Sequence, residues 1–264
     1  LIKSGENKTQ AKLKALLSYA IECAILKIHG SEVVKFVSDE GVQIHGGMGY
    51  SADTLIEPAY RDARISRIYE GTNEINRMLI VEMFIKKAIK KELDLFQKIK
   101  NIEKQLLFIN LGIATNTVKS KLQKEKNAIN NLKKLSLLVI GVAIAKYKKQ
   151  LVEEQEILMR ISDIIIETYI AESSLLKTEK LIDKNGIENS LTEINMTKNY
   201  IRNSLYISKE SAKEITQATC RGMKRKLILS TINKLSKYSN EDIKEIRREI
   251  AMHLIKHKKY SFNI

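Results

Sequence analysis

Apolar residues recur at steps of three and four along almost the whole of this 264-residue chain, and the stepping breaks sharply at only two places in its first third. That period is the mark of helices that each bury one stripe. From Thr9 to His29 the stripe is Leu13, Leu16, Leu17, Ala20, Ala24, Ile25 and Ile28. Gly30 then predicts an end, and Ser31 a cap for a second helix running to about Gln43, with Val33, Val34, Phe36, Val37 and Val42 as its apolar face. Pro occurs once and Gly eleven times, and Ile, Leu, Lys and Glu are abundant, which favours long helices over sheets. The chain reads as all-α, a helical bundle followed by a second helical domain.

The first break is Gln43-Ile44-His45-Gly46-Gly47-Met48-Gly49-Tyr50. Asp53 or Thr54 is the expected N-cap of a short helix with Pro58 in its first turn, where a missing amide hydrogen costs nothing, and that helix is expected to stop near Tyr69. At the second break Gly71 permits a positive φ and Thr72 can cap a helix from Asn73 to about Lys91. Beyond Leu93-Asp94 the glycine loops give way to longer amphipathic helices, so the expected domains are residues 1–92 and 93–264. Helices are expected over Leu95 to Asn110, from Asn127 to Leu151 or beyond, Glu153 to Leu181, Ser190 to Thr219, around Arg221 to Tyr238, and Asn240 to Lys258, with a turn at Gly186.

The formal charge of +15 invites a nucleic-acid or anionic-membrane reading. The bases, however, are spread over many helices and interleaved with acids, and Lys, Ile and Asn are inflated together, as in a low-GC genome. No specific nucleic acid is expected as a partner. Cys23 and Cys220 match no metal or redox spacing, which fits a reducing compartment. The longest apolar run, Leu135 to Ala145, is about eleven residues against the ~20 that span a bilayer. With its flanking lysines, Lys119 to Lys149 reads first as a buried core helix and second as a peripheral membrane helix. His253 and His257 are four apart but have no third ligand nearby; they read as a solvated face, and no metal is expected.

Two features carry chemistry. Glu70, between Tyr69 and Gly71, could abstract a proton if a cleft desolvated it and raised its pKa; the alternative is a surface glutamate at a turn. Gly46, Gly47 and Gly49 leave backbone amides uncovered for a pyrophosphate, although no strand precedes them as in a dinucleotide fingerprint.

Together these residues closely resemble the acyl-CoA dehydrogenase family. Gln43 to Tyr50, then Tyr60-Arg61-Asp62-Ala63-Arg64-Ile65, then Ile68-Tyr69-Glu70-Gly71-Thr72-Asn73-Glu74-Ile75-Asn76-Arg77, look like that family's C-terminal signature in order and spacing. Residues Ile21 to Glu32 and Glu154 to Asp163 look most like its very-long-chain branch. The resemblance implies that Glu70 is the catalytic base removing the α-proton of an acyl-CoA thioester while the β-hydrogen leaves as hydride to FAD. It implies that the Glu70 main-chain N–H binds the thioester oxygen, and that Gly71 lets substrate lie close. Gln43, Ile44, His45, Gly46 and Gly47 match the segment holding the adenosine diphosphate end of FAD across a homodimer interface, and Thr72, Asn73 and Glu74 match further FAD contacts. Arg61, Asp62, Arg64 and Arg77 read as a structural ion-pair set. Electron-transfer flavoprotein is the implied electron acceptor, fatty acid β-oxidation the implied setting, and the cytoplasm of a bacterium the implied location.

Against the family pattern, an N-terminal helical domain, a middle β-domain and the first bundle helices have no counterpart in these residues. The chain is expected to be a fragment, or one product of a split enzyme, and to be inactive alone. Two rivals are a non-catalytic helical assembly module and a basic nucleic-acid binder with steep salt dependence.

Overall fold

The computed structural model describes residues 7–111, 122–238, 241–259 and 262, among which there are ten α-helices and no strand. They form two compact units, residues 1–93 and 94–264.

The first unit contains α1 (Lys8–Ser18), α2 (Ala20–His45), α3 (Ile56–Ile65) and α4 (Asn73–Ile89), with a 3-10 turn over Gly46–Tyr50. Asn7 caps α1, its side chain accepting from the Thr9 N–H at 3.0 Å. The break expected at Gly30 falls instead at Tyr19, and α2 runs through Gly30 and Ser31 without interruption. No atom lies within 4 Å of where a Gly30 side chain would be, so nothing turns the chain there. A helical glycine costs about 1 kcal/mol, less than the burial of Ile25 and Ile28 on the same helix returns. Ser31 is accordingly no cap: it is buried, and its hydroxyl donates back to the Ile28 carbonyl at 2.9 Å.

Helix α2 packs on α3 and α4 through Ile21, Ala24, Ile25 and Ile28, while Ile80 and Val81 are buried on α4. The expected apolar face of Val33, Val34, Phe36 and Val37 is exposed, with Phe36 at 63%. The residues do share one side of α2, but it is the side away from α3 and α4. Neither Asp53 nor Thr54 caps α3, which starts after Leu55. Thr54 donates to the Met48 and Ser51 carbonyls, and Asp53 accepts from Ser51, so both close the preceding turn. The helix ends at Ile65, short of Tyr69, because the Ile68 and Tyr69 N–H groups both turn back to the Ile65 carbonyl.

The second unit contains α5 (Leu95–Leu111), α6 (Gln123–Tyr147), α7 (Gln155–Asn185), α8 (Leu191–Thr219), α9 (Gly222–Leu235) and α10 (Ile243–His257). Helices α6, α7 and α8 pack mutually around Leu132, Leu135, Leu158, Ile161, Ile164 and Ile201, all essentially inaccessible to solvent. The run Leu135 to Ala145 lies in this packing: Leu135, Leu138, Val139, Ile140, Val142 and Ala143 are buried, as a core helix requires. The flanking residues 119–121 lie outside the described residues. Gly186, at φ +82, turns α7 toward α8, and the two helices meet through small polar residues such as Thr178 and Thr197, whose hydroxyls are 2.7 Å apart. The buried Glu125 carboxylate accepts from the Tyr238 hydroxyl at 2.9 Å, and burial together with that carboxylate pushes the phenol's pKa well up. His253 departs from a solvated face. It is half-buried, its Nδ1 is 3.1 Å from the Thr192 hydroxyl, and its ring stacks on Phe262.

Leu158→Ala, at the centre of the second unit, is expected to cost about 2–5 kcal/mol. Met223→Ala, at a position 79% exposed, is expected to stay within about 0.5 kcal/mol. Urea unfolding of the two variants against the parent measures both.

Candidate functional site

The segment Glu70-Gly71-Thr72 links the turns after α3 to α4, and its backbone is unusual. Glu70 has φ +56 and Gly71 φ +79, two consecutive residues in the left-handed region, of which only the glycine is at home there. An alanine at 71 would also put its Cβ 3.0 Å from Asn76 Nδ2. Thr72 caps α4, its hydroxyl accepting from the Ile75 N–H at 3.2 Å, as its place before the apolar stepping predicts.

The turn is held from inside. Asn76 Nδ2 donates to the Gly71 carbonyl at 2.8 Å and to the Thr72 carbonyl at 3.1 Å, and lies 3.4 Å from the Glu70 carbonyl. Lys27 Nζ donates to the Gly71 carbonyl and to Asn73 Oδ1, each at 2.8 Å. Asn73 is completely buried; its amide nitrogen donates to Ser31 Oγ at 2.9 Å and Glu32 Oε1 at 3.0 Å, and its own N–H goes to the Arg67 carbonyl at 3.1 Å. Glu32 in turn faces Arg67 Nε at 3.3 Å and Arg77 at 3.9 Å. Lys27, Ser31 and Glu32 thus present one polar edge of α2 to the turn, with Arg67 and Arg77 beside the Glu32 carboxylate.

With three successive carbonyls directed inward, trans peptide geometry points the N–H groups of Gly71 and Thr72 outward. Neither they nor the Glu70 N–H makes a hydrogen bond among the described residues. The Glu70 side chain is exposed and forms no hydrogen bond or ion pair there, so this chain does not by itself enclose it in the desolvating cleft expected of a base. Glu74 is exposed in the first turn of α4. Its pKa is lowered, chiefly because its carboxylate accepts from its own main-chain N–H, with the Thr72 hydroxyl also contributing.

Asn73, expected as a FAD contact, is completely buried in this chain. Its side chain and N–H are fully used within the chain, so its role is to tie the turn to α2. Thr72 and Glu74 stand at an accessible helix N-terminus, where exposed amides favour anionic groups. No role at this turn was expected of Lys27, Ser31, Glu32 or Asn76 from the sequence, Ser31 being expected as a cap. The signal that could have found them is Ser31 interrupting the apolar stripe three residues after Ile28, with Lys27 one turn before it.

The glycine turn lies elsewhere on the same unit. Gln43, Ile44, His45, Gly46 and Gly47 are all exposed, and Gly46, at φ +60, ends α2. His45 Nδ1 is 2.8 Å from the Gly41 carbonyl, which can only accept, so that nitrogen carries the proton and Nε2 faces outward. No atom lies within 4 Å of where side chains at Gly46 and Gly47 would be, whereas at Gly49 a Cβ would meet the Val42 carbonyl at 2.5 Å. Along α2, Lys27 and Gln43 are separated by about 24 Å of helix rise. The chain therefore does not bring Glu70 and the glycine turn together. Between α2, the glycine turn and α3 opens a cavity of about 650 Å³ lined by Lys35, Tyr50, Tyr60, Arg61, Arg64 and Arg67 among others; Glu70 is not part of it.

The chain is similar to known proteins over most of its length. Two models, each described as the acyl-CoA dehydrogenase C-terminal domain, match residues 6–85 and 131–234. A probable acyl-CoA dehydrogenase of Bacillus subtilis (strain 168) is 37% identical over 248 residues, covering 94% of this chain and 41% of that protein. The very long-chain specific mitochondrial acyl-CoA dehydrogenase of Homo sapiens is 31% identical over 171 residues, covering 57% of this chain and 25% of its own length. The crystal structure of an acyl-CoA dehydrogenase complexed with FAD from Bacillus anthracis matches with a TM-score of 0.88 at 39% identity, over 92% of this chain and 41% of that one. This chain spans about two fifths of the length of the Bacillus proteins it matches.

Gly71→Ala is expected to cost about 1–2 kcal/mol for its left-handed backbone, and Gly47→Ala less than about 0.5 kcal/mol, in parallel urea titrations. The lowered Glu74 pKa gives stability that is present above the ordinary glutamate value and lost as pH falls through the lower folded value. Glu74→Gln should therefore be less stable than the parent at neutral pH and converge on it as pH falls through the lowered value.

Proposed function

Because the chain belongs to the acyl-CoA dehydrogenase family, as C-terminal-domain sequence, we propose that it supplies the catalytic base and part of the FAD site of an enzyme that desaturates acyl-CoA thioesters between the α and β carbons. The observation that carries this reading is the turn itself. Glu70 is held at φ +56 beside a carbonyl gripped from behind, with the unpaired N–H groups of Gly71 and Thr72 facing outward and its own N–H also unpaired among the described residues.

The residues present suit the cofactor. Gly46 and Gly47 offer a backbone that no side chain covers, and the N-terminus of α4, capped by Thr72, offers amides to an anion. FAD, when bound, supplies the acceptor for the β-hydride. Glu70 takes the α-proton, and its carboxylate needs no rearrangement to reach a ligand because nothing in its own chain holds it. The charge that develops on the thioester oxygen is met by a main-chain N–H of the turn. Because Glu70 and the glycine turn stand apart on one chain, the glycine turn serves the flavin of a second subunit, in a homodimer. Long acyl chains are the proposed substrates, supported by the similarity to very long-chain specific relatives, with electron-transfer flavoprotein as the acceptor and β-oxidation as the setting.

The exposure of Glu70 favours one alternative, a helical assembly module of the same descent in which that carboxylate is dispensable. One experiment separates the two. The chain joined to the upstream domains of its relatives is purified, bound flavin is measured, and acyl-CoA is added anaerobically. The expected result is yellow protein whose flavin bleaches, about 10²–10⁴-fold more slowly with Glu70→Gln. Flavin that does not bind, or bleaching that Glu70→Gln leaves unchanged, gives the module reading.

A further inference from the structure

We propose that Lys27 is a positioning residue for the Glu70 base: its ammonium fixes the Gly71 carbonyl and so sets the direction in which the Glu70 peptide and carboxylate face. This rests on the reading of Glu70 as a base and adds to it a residue on a helix 43 positions earlier in the chain.

Lys27 is half-buried on α2, and two of its three ammonium protons are spent at 2.8 Å, one on Gly71 O and one on the buried Asn73 Oδ1. A charged donor to a carbonyl makes a bond about twice as strong as a neutral one. It grips the peptide next to the two left-handed residues, where backbone rotation would otherwise release strain. Asn76 grips the same carbonyl, but from α4, which begins at the turn and would move with it. Lys27 is anchored on α2, a separate helix whose Ile21, Ala24, Ile25 and Ile28 are buried in the packing against α3 and α4. It therefore ties the turn across that packing to a helix other than the one the turn begins. Ser31 and Glu32, one turn further on, secure Asn73 and keep Lys27's second acceptor in place.

A simple fold-holding contact predicts equal losses in flavin content, ligand affinity and rate. A positioning contact predicts a split. Proton transfer from a carbon acid is far more sensitive to misplacement of the base than binding is, and a displacement of about 1 Å can cost on the order of 10²-fold in rate.

The test uses the flavin-loaded protein with its upstream domains, as parent, Lys27→Met, Lys27→Arg and Glu70→Gln. For each, flavin per chain, the melting temperature, the Kd of a thioether analogue of acyl-CoA that lacks the carbonyl, and the single-turnover rate of flavin bleaching by acyl-CoA are measured. Lys27→Met is expected to slow bleaching about 10- to 100-fold while flavin content and thioether affinity stay within about twofold. Lys27→Arg, which keeps a charged donor of similar reach, is expected to recover the parent rate to within about threefold. Should Lys27→Met not accumulate folded, Lys27→Gln, which keeps a neutral donor, is held to the same criteria. Bleaching at the parent rate in the Met or Gln variant, or losses of rate, flavin and affinity in equal proportion, overturns the proposal. Failure of the underlying reading looks different: Glu70→Gln then bleaches like the parent, whatever Lys27 does.

Discussion

The completely buried amide of Asn73 is what the rest of the first unit depends on. A primary amide taken out of water without partners costs several kcal/mol, so its position is fixed wherever all its bonds can be made at once. Here that place is one edge of α2, where Lys27 meets its oxygen and Ser31 and Glu32 its nitrogen. Once Asn73 is seated, Thr72 before it must start α4, and Gly71 and Glu70 must bridge back to Arg67 through left-handed backbone. The outward N–H groups and the free carboxylate of Glu70 follow from that closure. The chemistry of the turn is thus a consequence of how one polar side chain is buried.

Much of this was legible locally and much was not. The Thr72 cap, the start of α4, the turn at Gly186 and the helices of the second unit could be read because caps, glycines and apolar steps act within a few residues. Gly30 misled for the same reason, since a local breaker was overruled by the burial of Ile25 and Ile28 around it. The stripe of Val33, Val34, Phe36 and Val37 shows that periodicity reports an apolar side and says nothing of what covers it. The signature residues announced the turn, yet the contacts that hold it join positions more than forty residues apart, which no spacing within either segment encodes. The burial of Asn73 was not legible, because a polar residue beside a cap looks the same in sequence whether it faces a ligand or its own core.

The two units differ in how they treat polar groups. In the second, two buried pairs join separate elements, Thr178 with Thr197 and Tyr238 with the Glu125 carboxylate, so polarity there helps specify which elements meet. In the first, the buried polar cluster gathers at one turn and the adjoining donors are left open. A pairing that closes on itself makes architecture, whereas a cluster that stops one layer short of the surface presents its last groups to something else.

The backbone at Glu70 completes that argument. A side-chain-bearing residue at φ +56 costs of order 1–3 kcal/mol that glycine would not incur, and asparagine would incur less. Left-handed backbone alone does not set Glu70 apart, since the exposed Lys91, Lys148 and Lys258 share it; what does is the left-handed glycine beside it and a carboxylate that makes no bond among the described residues. The strain is sustained by Lys27 and Asn76 acting on the neighbouring carbonyls, not by anything the carboxylate itself contacts. What the strained conformation yields is a direction: a carboxylate and the adjoining N–H groups presented together from a rigid support. Electrostatic and proton-transfer catalysis require that combination, and an ordinary surface turn does not.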